Sequence, residues 1–387
     1  MQGQRFTEII VRKAVLPFRI NFSHNLATRD ETETLFVSLR FGKDFVGFGQ
    51  ALPRTYLTGE TVDGVVDTLR NFLWPRFVQL KIPEKCDFLQ AMERFAPIFV
   101  QADGERKNAA YASVEVAAMD AVLKSAGLPA GHPGLFGQAP LPLVGVVSGS
   151  GARKAMWLAR ILRWLGYRRF KVKVGADREA DERRLAAVRG VIGPDAWLAV
   201  DANCAWTYDE AIARMRELRR FGVALVEEPL RQECRAGVDF RALENAAGLP
   251  VMADESLCTL ADTEALLRDG SPSWWNLRLV KNGGFSGMAA LAHRARENGI
   301  HIYGGILVGE TGLLAAAGRI GMAMAGAECG EYGFPRFFLR RDPFRGSPAG
   351  YFGALPAPTG RECGFGVRVA GQAGSGIPGE VVFHDKT

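Results

Sequence analysis

The stretch FKVKVG, residues 170–175, has the composition of a strand and sets Lys171 and Lys173 on one face of it, because side chains two apart on a strand point the same way. Two ammonium groups crowded onto one buried face repel each other and lose hydration. Packing alone gives no reason to place them there. A run that reads as barrel core while carrying two parallel lysines points to a site, and the flanking sequence shows what kind.

Working outward, the same rhythm repeats. LVGVVS (143–148) is apolar and precedes the helical run ARKAMWLARILRWLG. FKVKVG precedes a helix over 179–191, and WLAVDAN (197–203) one over 208–220. VALVEEPL (223–230) leads to 240–247 and PVMADESL (250–257) to 261–268. WWNLRLVKNGG (274–284) leads to 285–298, IHIYGGI (300–306) to a small-residue helix near 311–323, and AGAEC (325–329) follows. Eight short strands alternating with helices predict a closed parallel barrel. The rival is an open doubly wound sheet, but no glycine-rich nucleotide fingerprint follows the first strand. Residues 1–58 alternate like antiparallel strands with a turn at RFGKDF, and residues 59–125 have helical periodicity ending at Gly127. The expected organisation is an N-terminal α+β capping domain over 1–135 and a modified TIM barrel over 136–340. A loop-rich segment, 341–387, with a late strand GFGVRVA, is expected to return to the cap.

The polar residues recur at one place, the strand ends. Lys171 and Lys173 end the second strand, Asp201 and Asn203 the third, Glu227 and Glu228 the fourth, Asp254 and Glu255 the fifth. Arg278 lies on the sixth with Lys281 just past it, and Glu328 belongs to the eighth. The C-terminal strand ends of such a barrel surround its active site. Asp201, Glu227 and Asp254 are 26 and 27 residues apart, one strand–helix unit each, so they fall on adjacent strands. Three converging carboxylates need a cation to hold them, and an all-oxygen donor set suits Mg²⁺, with Mn²⁺ as the substitute. Any barrel has polar strand ends, and single motifs such as DAN or EEP carry little weight alone. The set in register with the paired lysines carries much more.

Bulk properties narrow the function further. The chain has 387 residues and a formal net charge of +6, with the positives dispersed and no zinc-finger or RNA-binding signature. An anionic small molecule fits this balance, and no nucleic-acid partner is expected. The six cysteines, at 86, 204, 234, 258, 329 and 363, have no metal-site or disulfide spacing, which suggests a reducing compartment. No apolar run approaches a membrane span and the N-terminus has no signal-peptide core, so cytoplasmic is the expected location. A zinc hydrolase would need histidine ligands, and the five histidines, 24, 132, 293, 301 and 384, are not at strand ends as a set.

The ordered set KVK, DAN, VEEP, ADES and KNGG resembles the enolase superfamily, in its mandelate racemase/muconate lactonizing branch, over nearly the whole chain. The resemblance implies that Asp201, Glu227 and Asp254 bind the metal. It implies that Lys173 is the acid/base, with Lys171 supporting it and lowering its proton affinity. Asn203 and Glu328 become substrate-side candidates, Glu328 resembling the acid of cycloisomerases. His24, Arg29 and Tyr56 become candidates on cap loops closing over the substrate. A homo-oligomer, dimer or octamer, is also implied.

One position departs from the branch. Twenty-four residues past Asp254, where the branch usually carries its opposite-face lysine, stands Arg278. Arginine keeps its proton above pH 12 and is a poor base. Lys281 is the nearby replacement, at an odd offset from Arg278. AECGEYGFP also lacks the Asp-x-Asp pair of dipeptide epimerases. The expectation is a Mg²⁺-dependent isomerase of the muconate-cycloisomerase kind acting on an anionic carboxylate. A lyase (acid-sugar dehydratase or o-succinylbenzoate-synthase-like) is the alternative. A racemase or epimerase of amino acid derivatives comes third, and a binding module with a vestigial site stands outside catalysis.

Overall fold

The computed structural model describes residues 3–24, 27–99, 107–131, 139–148, 151–175, 177–346, 353–358, 362–370 and 376–387. The side chains of 20–24 and 27–29 are excluded, so those of His24 and Arg29 lie outside the described residues.

Eight parallel strands form the barrel: Val144–Val147, Arg169–Lys173, Trp197–Asp201, Leu225–Glu227, Val251–Ala253, Trp274–Leu277, His301–Gly304 and Cys329–Gly330. They are hydrogen-bonded in chain order, each to the next. Among the described residues the first and eighth meet through a single parallel bridge, Leu143 to Gly330, so the ring is nearly closed, with a loose seam. Helices follow the strands and have readable caps. Asp177 caps Arg178–Ile192, and Thr207 with Glu210 forms a capping box for Tyr208–Leu218. Gly248 and Gly326 end Phe240–Ala247 and Gly312–Ala325 in the left-handed region. The floor of the barrel is an apolar plug of Val144, Ala199, Leu225, Met252, Tyr303 and Cys329, all inward-facing.

The cap is a four-stranded antiparallel sheet in the order Glu380–Lys386, Phe6–His24, Ala27–Phe41, Phe45–Ala51. Helix Asn108–Ala126 lies directly on it. A Cβ on Gly49 would fall 1.8 Å from the Ser113 carbonyl oxygen, so only glycine permits this approach. The strand that rejoins the cap is Glu380–Lys386, not GFGVRVA. Within the latter only Arg368–Val369 is extended, and it pairs with Phe344–Arg345. The periodicity of GFGVRVA was misleading because its glycines take left-handed turns, Gly364 at φ 65° and Gly366 at φ 68°.

Several polar joints fasten cap to barrel. Glu115, buried in the long cap helix, accepts from Ser286 N at 3.1 Å and from its hydroxyl, at the start of helix Gly284–Glu297. Arg54 Nη2 donates to Val308 O at 3.0 Å, Gln50 Nε2 to Gly309 O at 3.1 Å, and Thr311 N to Gln50 Oε1 at 3.0 Å. The loop after the seventh strand is thus held by the cap. Among the described residues no helix is long and apolar enough to cross a membrane.

Candidate active site

The register of the strands puts the expected residues on one level. Lys173 pairs with Asp201 and Asp201 with Glu227 across adjacent strands. Asp254 lies just past Val251–Ala253. The answer to two lysines on one face is that each has its own acids. Lys171, 2% exposed, has Nζ 2.5 Å from Glu227 Oε2 and in contact with Glu331 Oε1. Lys173 Nζ lies 3.0 Å from Asp201 Oδ2 and 2.7 Å from Asn203 Oδ1, and its side chain is partly open to solvent. Burial works against the charge on Lys171, but Glu227 and Glu331 overcome it and hold its pKa well above the lysine range. Lys171 is therefore a fixed positive charge.

Asp254 accepts from Arg278 Nη2, and Lys281 Nζ is 3.0 Å from its Oδ1, an ion pair without hydrogen-bond geometry. Burial would raise Asp254, but Arg278 and Lys281 pull it down to about 2. Arg278 Nη2 also reaches Glu227 Oε1 at 3.5 Å. Glu227 accepts from Asn276 Nδ2 at 2.7 Å. Burial, with the charges of Asp201 and Asp254, pushes Glu227 up to about 8 despite Lys171 and Arg278.

Glu228 points away from this cluster. It sits at φ 38°, pairs with Arg235 at 2.6 Å, and accepts from Asp254 N at 2.7 Å and Ser256 N at 3.1 Å. Its carboxylate pins the turn that carries Asp254, which explains its backbone strain. Glu255, buried, accepts from Asn203 Nδ2 at 3.2 Å, and Asn203 is itself left-handed at φ 44°. Asn203 is thus a strut between Lys173 and Glu255.

The cavity above these residues has a volume of about 340 Å³. Lys171, Lys173, Asp201, Asn203, Arg278 and Tyr56 all line it. Two expectations need correction. Lys281 does not reach the cavity. It is wholly buried, its Nζ donating to Asp254 O at 2.8 Å and Asn276 O at 2.7 Å, where it locks the turn after the sixth strand. Glu328 precedes the eighth strand, at the opposite end of the barrel from the cavity. It is half exposed and pairs with His301 Nδ1 at 2.6 Å. The acid at the cavity end is Glu331, three residues on, held by Lys171 and by the Tyr303 hydroxyl at 3.0 Å. Reading AGAEC as the strand placed the acid too early, whereas the strand is only Cys329–Gly330. Asn276 and Tyr303 were missed because both lie within apolar runs. Strand parity with Arg278 was the available signal for Asn276.

Among the described residues no three acids, cysteines or histidines stand close enough, as placed, to hold a metal ion. The donor chemistry nevertheless fits one. Asp201, Glu227 and Asp254 are hard oxygen donors on neighbouring strand ends, and Arg278 bridging Asp254 and Glu227 marks where positive charge is demanded.

The family model described as Enolase C-terminal domain-like matches residues 155–373. The hydrophobic dipeptide epimerase of Enterococcus faecalis is 28% identical over 81% of this chain and 86% of its own length. Muconate cycloisomerase 1 of Pseudomonas putida is 29% identical over 76% and 78%. The crystal structure of the dipeptide epimerase from Enterococcus faecalis V583, complexed with Mg and the dipeptide L-Leu-L-Tyr, shares the fold. Its TM-score is 0.79 at 23% identity, covering 94% of this chain and 99% of that one. The lysine pair, the three acids in register and the capped barrel agree with these matches: the chain belongs to the enolase superfamily, in its mandelate racemase/muconate lactonizing branch, and is an enzyme of carboxylate substrates that works by proton abstraction.

Proposed function

We propose that the protein is a Mg²⁺-dependent, one-base isomerase of the cycloisomerase kind, with Lys173 as the sole acid/base. One observation supports this above the others. Arg278 lines the same cavity as Lys173, and its pKa is held well above the arginine value: burial opposes its charge, but Asp254 and Glu227 outweigh it. A guanidinium in that state stabilises anions and removes no proton. Lys281, the other basic group on that side, is sealed beneath the turn.

Asp201, Glu227 and Asp254 would hold the metal, and the Mg complex of the dipeptide epimerase relative supports the choice of ion. When bound, Mg²⁺ would neutralise charge on the substrate carboxylate as it develops. The chain's own residues do the rest. Lys173 Nζ, aimed by Asp201 and Asn203, takes the proton from the carbon next to the carboxylate. Lys171, kept charged by Glu227 and Glu331, offers the anion a fixed positive neighbour without proton loss. Arg278 clamps carboxylate oxygen from the opposite face. The electron pair left on carbon breaks the bond at the adjacent carbon, opening a lactone-type ring with its carboxylate as leaving group. In reverse, Lys173 returns the proton. Elimination of hydroxide by the same base is the close variant.

The test is α-deuterium uptake in D₂O with Mg²⁺, followed by NMR over chiral lactone acids and hydroxy acids. Exchange of one enantiomer with retention is the expected result. Exchange of both enantiomers with inversion would make it a two-base enzyme and overturn the proposal.

A further inference from the structure

One cavity touches both sides of one barrel strand. Lys171 and Lys173 line it from inside the barrel, while Leu158, Leu162 and Tyr167 line it from the helical layer outside Val144–Val147. Gly145, on that strand, faces outward: a Cβ there would lie 3.0 Å from Leu162 Cδ1 and 3.2 Å from Tyr167 Cδ1. A free edge lets one cavity reach both faces of a strand. The first strand has one, since among the described residues it pairs along its length with the second strand alone and meets the eighth only at Leu143–Gly330, below the site.

The opposite wall of this side arm is aromatic. Tyr332, Phe334, Phe337 and Phe338 line it, with Tyr332 and Phe334 edge to face at 4.8 Å. Each acid that lines the cavity has at least one partner. Asp201 holds Lys173, Glu331 holds Lys171, Glu255 takes Asn203, and Glu310 takes the Leu307 N–H at 2.8 Å. Leu158, Leu162, Tyr167 and the aromatic wall contribute no acid of their own among the described lining residues. A cationic substituent placed there would lose hydration without gaining a counter-charge, whereas an apolar one gains burial.

We infer that the substrate carries, beyond its carboxylate, an uncharged apolar group, aryl or alkyl, seated in this side arm between Leu162 and the Phe334–Phe338 wall. The inference rests on the carboxylate chemistry proposed above and adds to it the class of the remote substituent.

The experiment titrates the Mg²⁺-loaded enzyme calorimetrically with 2-hydroxy acids of four to eight carbons, 3-phenyllactate, and a six-carbon acid ending in an amine. Affinity should rise about fourfold per added methylene until the arm is full. The amine-ended acid should bind at least about tenfold more weakly than its methyl-ended counterpart. Leu162→Trp, which fills the arm, should abolish the gain with length while leaving the four-carbon acid within about twofold of wild type. Leu162→Ala, with the melting curve checked, should instead keep the gain and extend it to longer chains. Flat affinity across the series, or equal binding of the amine-ended acid, overturns the inference. Deuterium exchange read on the same acids separates the two claims. A length dependence without exchange sinks only the proposed reaction, exchange without length dependence sinks only the side arm, and no binding by any member sinks both.

Discussion

The two mouths of the barrel are built from the same strands and differ in almost every physical respect. At the N-terminal mouth Glu328 and His301 form a half-exposed pair, and the Trp274 ring stacks on His301 at 4.7 Å. At the C-terminal mouth Glu331, three residues from Glu328, is gripped by buried Lys171. The apolar plug of Ala199, Leu225, Met252 and Tyr303 separates them. One pair is screened by water and the other is not, so equal charges differ widely in consequence. Position along a two-residue strand, more than residue type, decides which glutamate can matter to chemistry.

Five measurements sharpen or break that contrast. The largest effect belongs to Lys173→Met, which should lower α-deuterium exchange by about 10³-fold, equivalent to about 4 kcal/mol. Loss of tenfold or less would move the base elsewhere. Next comes the joint away from both mouths. Burial raises Glu115 from 4.5 to about 7, so the folded state binds its proton more tightly than the unfolded chain does. Such a group costs nothing below pH 4.5, destabilises increasingly as pH rises from 4.5 to about 7, and adds no further cost above that. Glu115→Gln should therefore gain on wild type between pH 5 and pH 8, by up to about 3 kcal/mol in urea unfolding. A constant difference across that window would refute the shift.

Glu331→Gln should cost about 2 kcal/mol of stability and lower turnover as well, since Lys171 loses a buried partner. Arg278→Lys should cut kcat/KM by about tenfold, about 1.4 kcal/mol, through loss of the guanidinium that bridges Asp254 and Glu227. If it gains exchange on the opposite enantiomer instead, the second base of the branch was only disabled. Smallest is Glu328→Gln, expected within about 0.5 kcal/mol in stability and with unchanged exchange rates. A large effect there would erase the distinction between the mouths.

Much of this was legible in the sequence. The alternation of strands and helices, and the one-unit spacing of Asp201, Glu227 and Asp254, are consequences of barrel geometry and appear directly in residue numbers. Arg278 was expected on the sixth strand, but that strand ends at Leu277 and Arg278 is the first residue beyond it. Glu331 was not legible, because a strand of two residues has no period to count and the acid of AGAEC was nearer the apolar run. The role of Lys281 was hidden too. Besides its ion pair with the Asp254 carboxylate, the lysine donates to the backbone carbonyls of Asp254 and Asn276, and carbonyls leave no trace in residue identity. The rejoining strand Glu380–Lys386 escaped notice because EVVFHDK carries three charges, as an edge strand with one open side can.

The joint between Arg54, Gln50 and the loop 308–311 is made largely to main-chain atoms, the carbonyls of Val308 and Gly309 and the N–H of Thr311. Main-chain partners persist when side chains change. Val308 and Leu307, which line the cavity, can thus be exchanged for other residues while their loop stays in place. The cap supplies a fixed mounting on which substrate preference can drift through successive substitutions without the barrel having to be refolded around each new occupant.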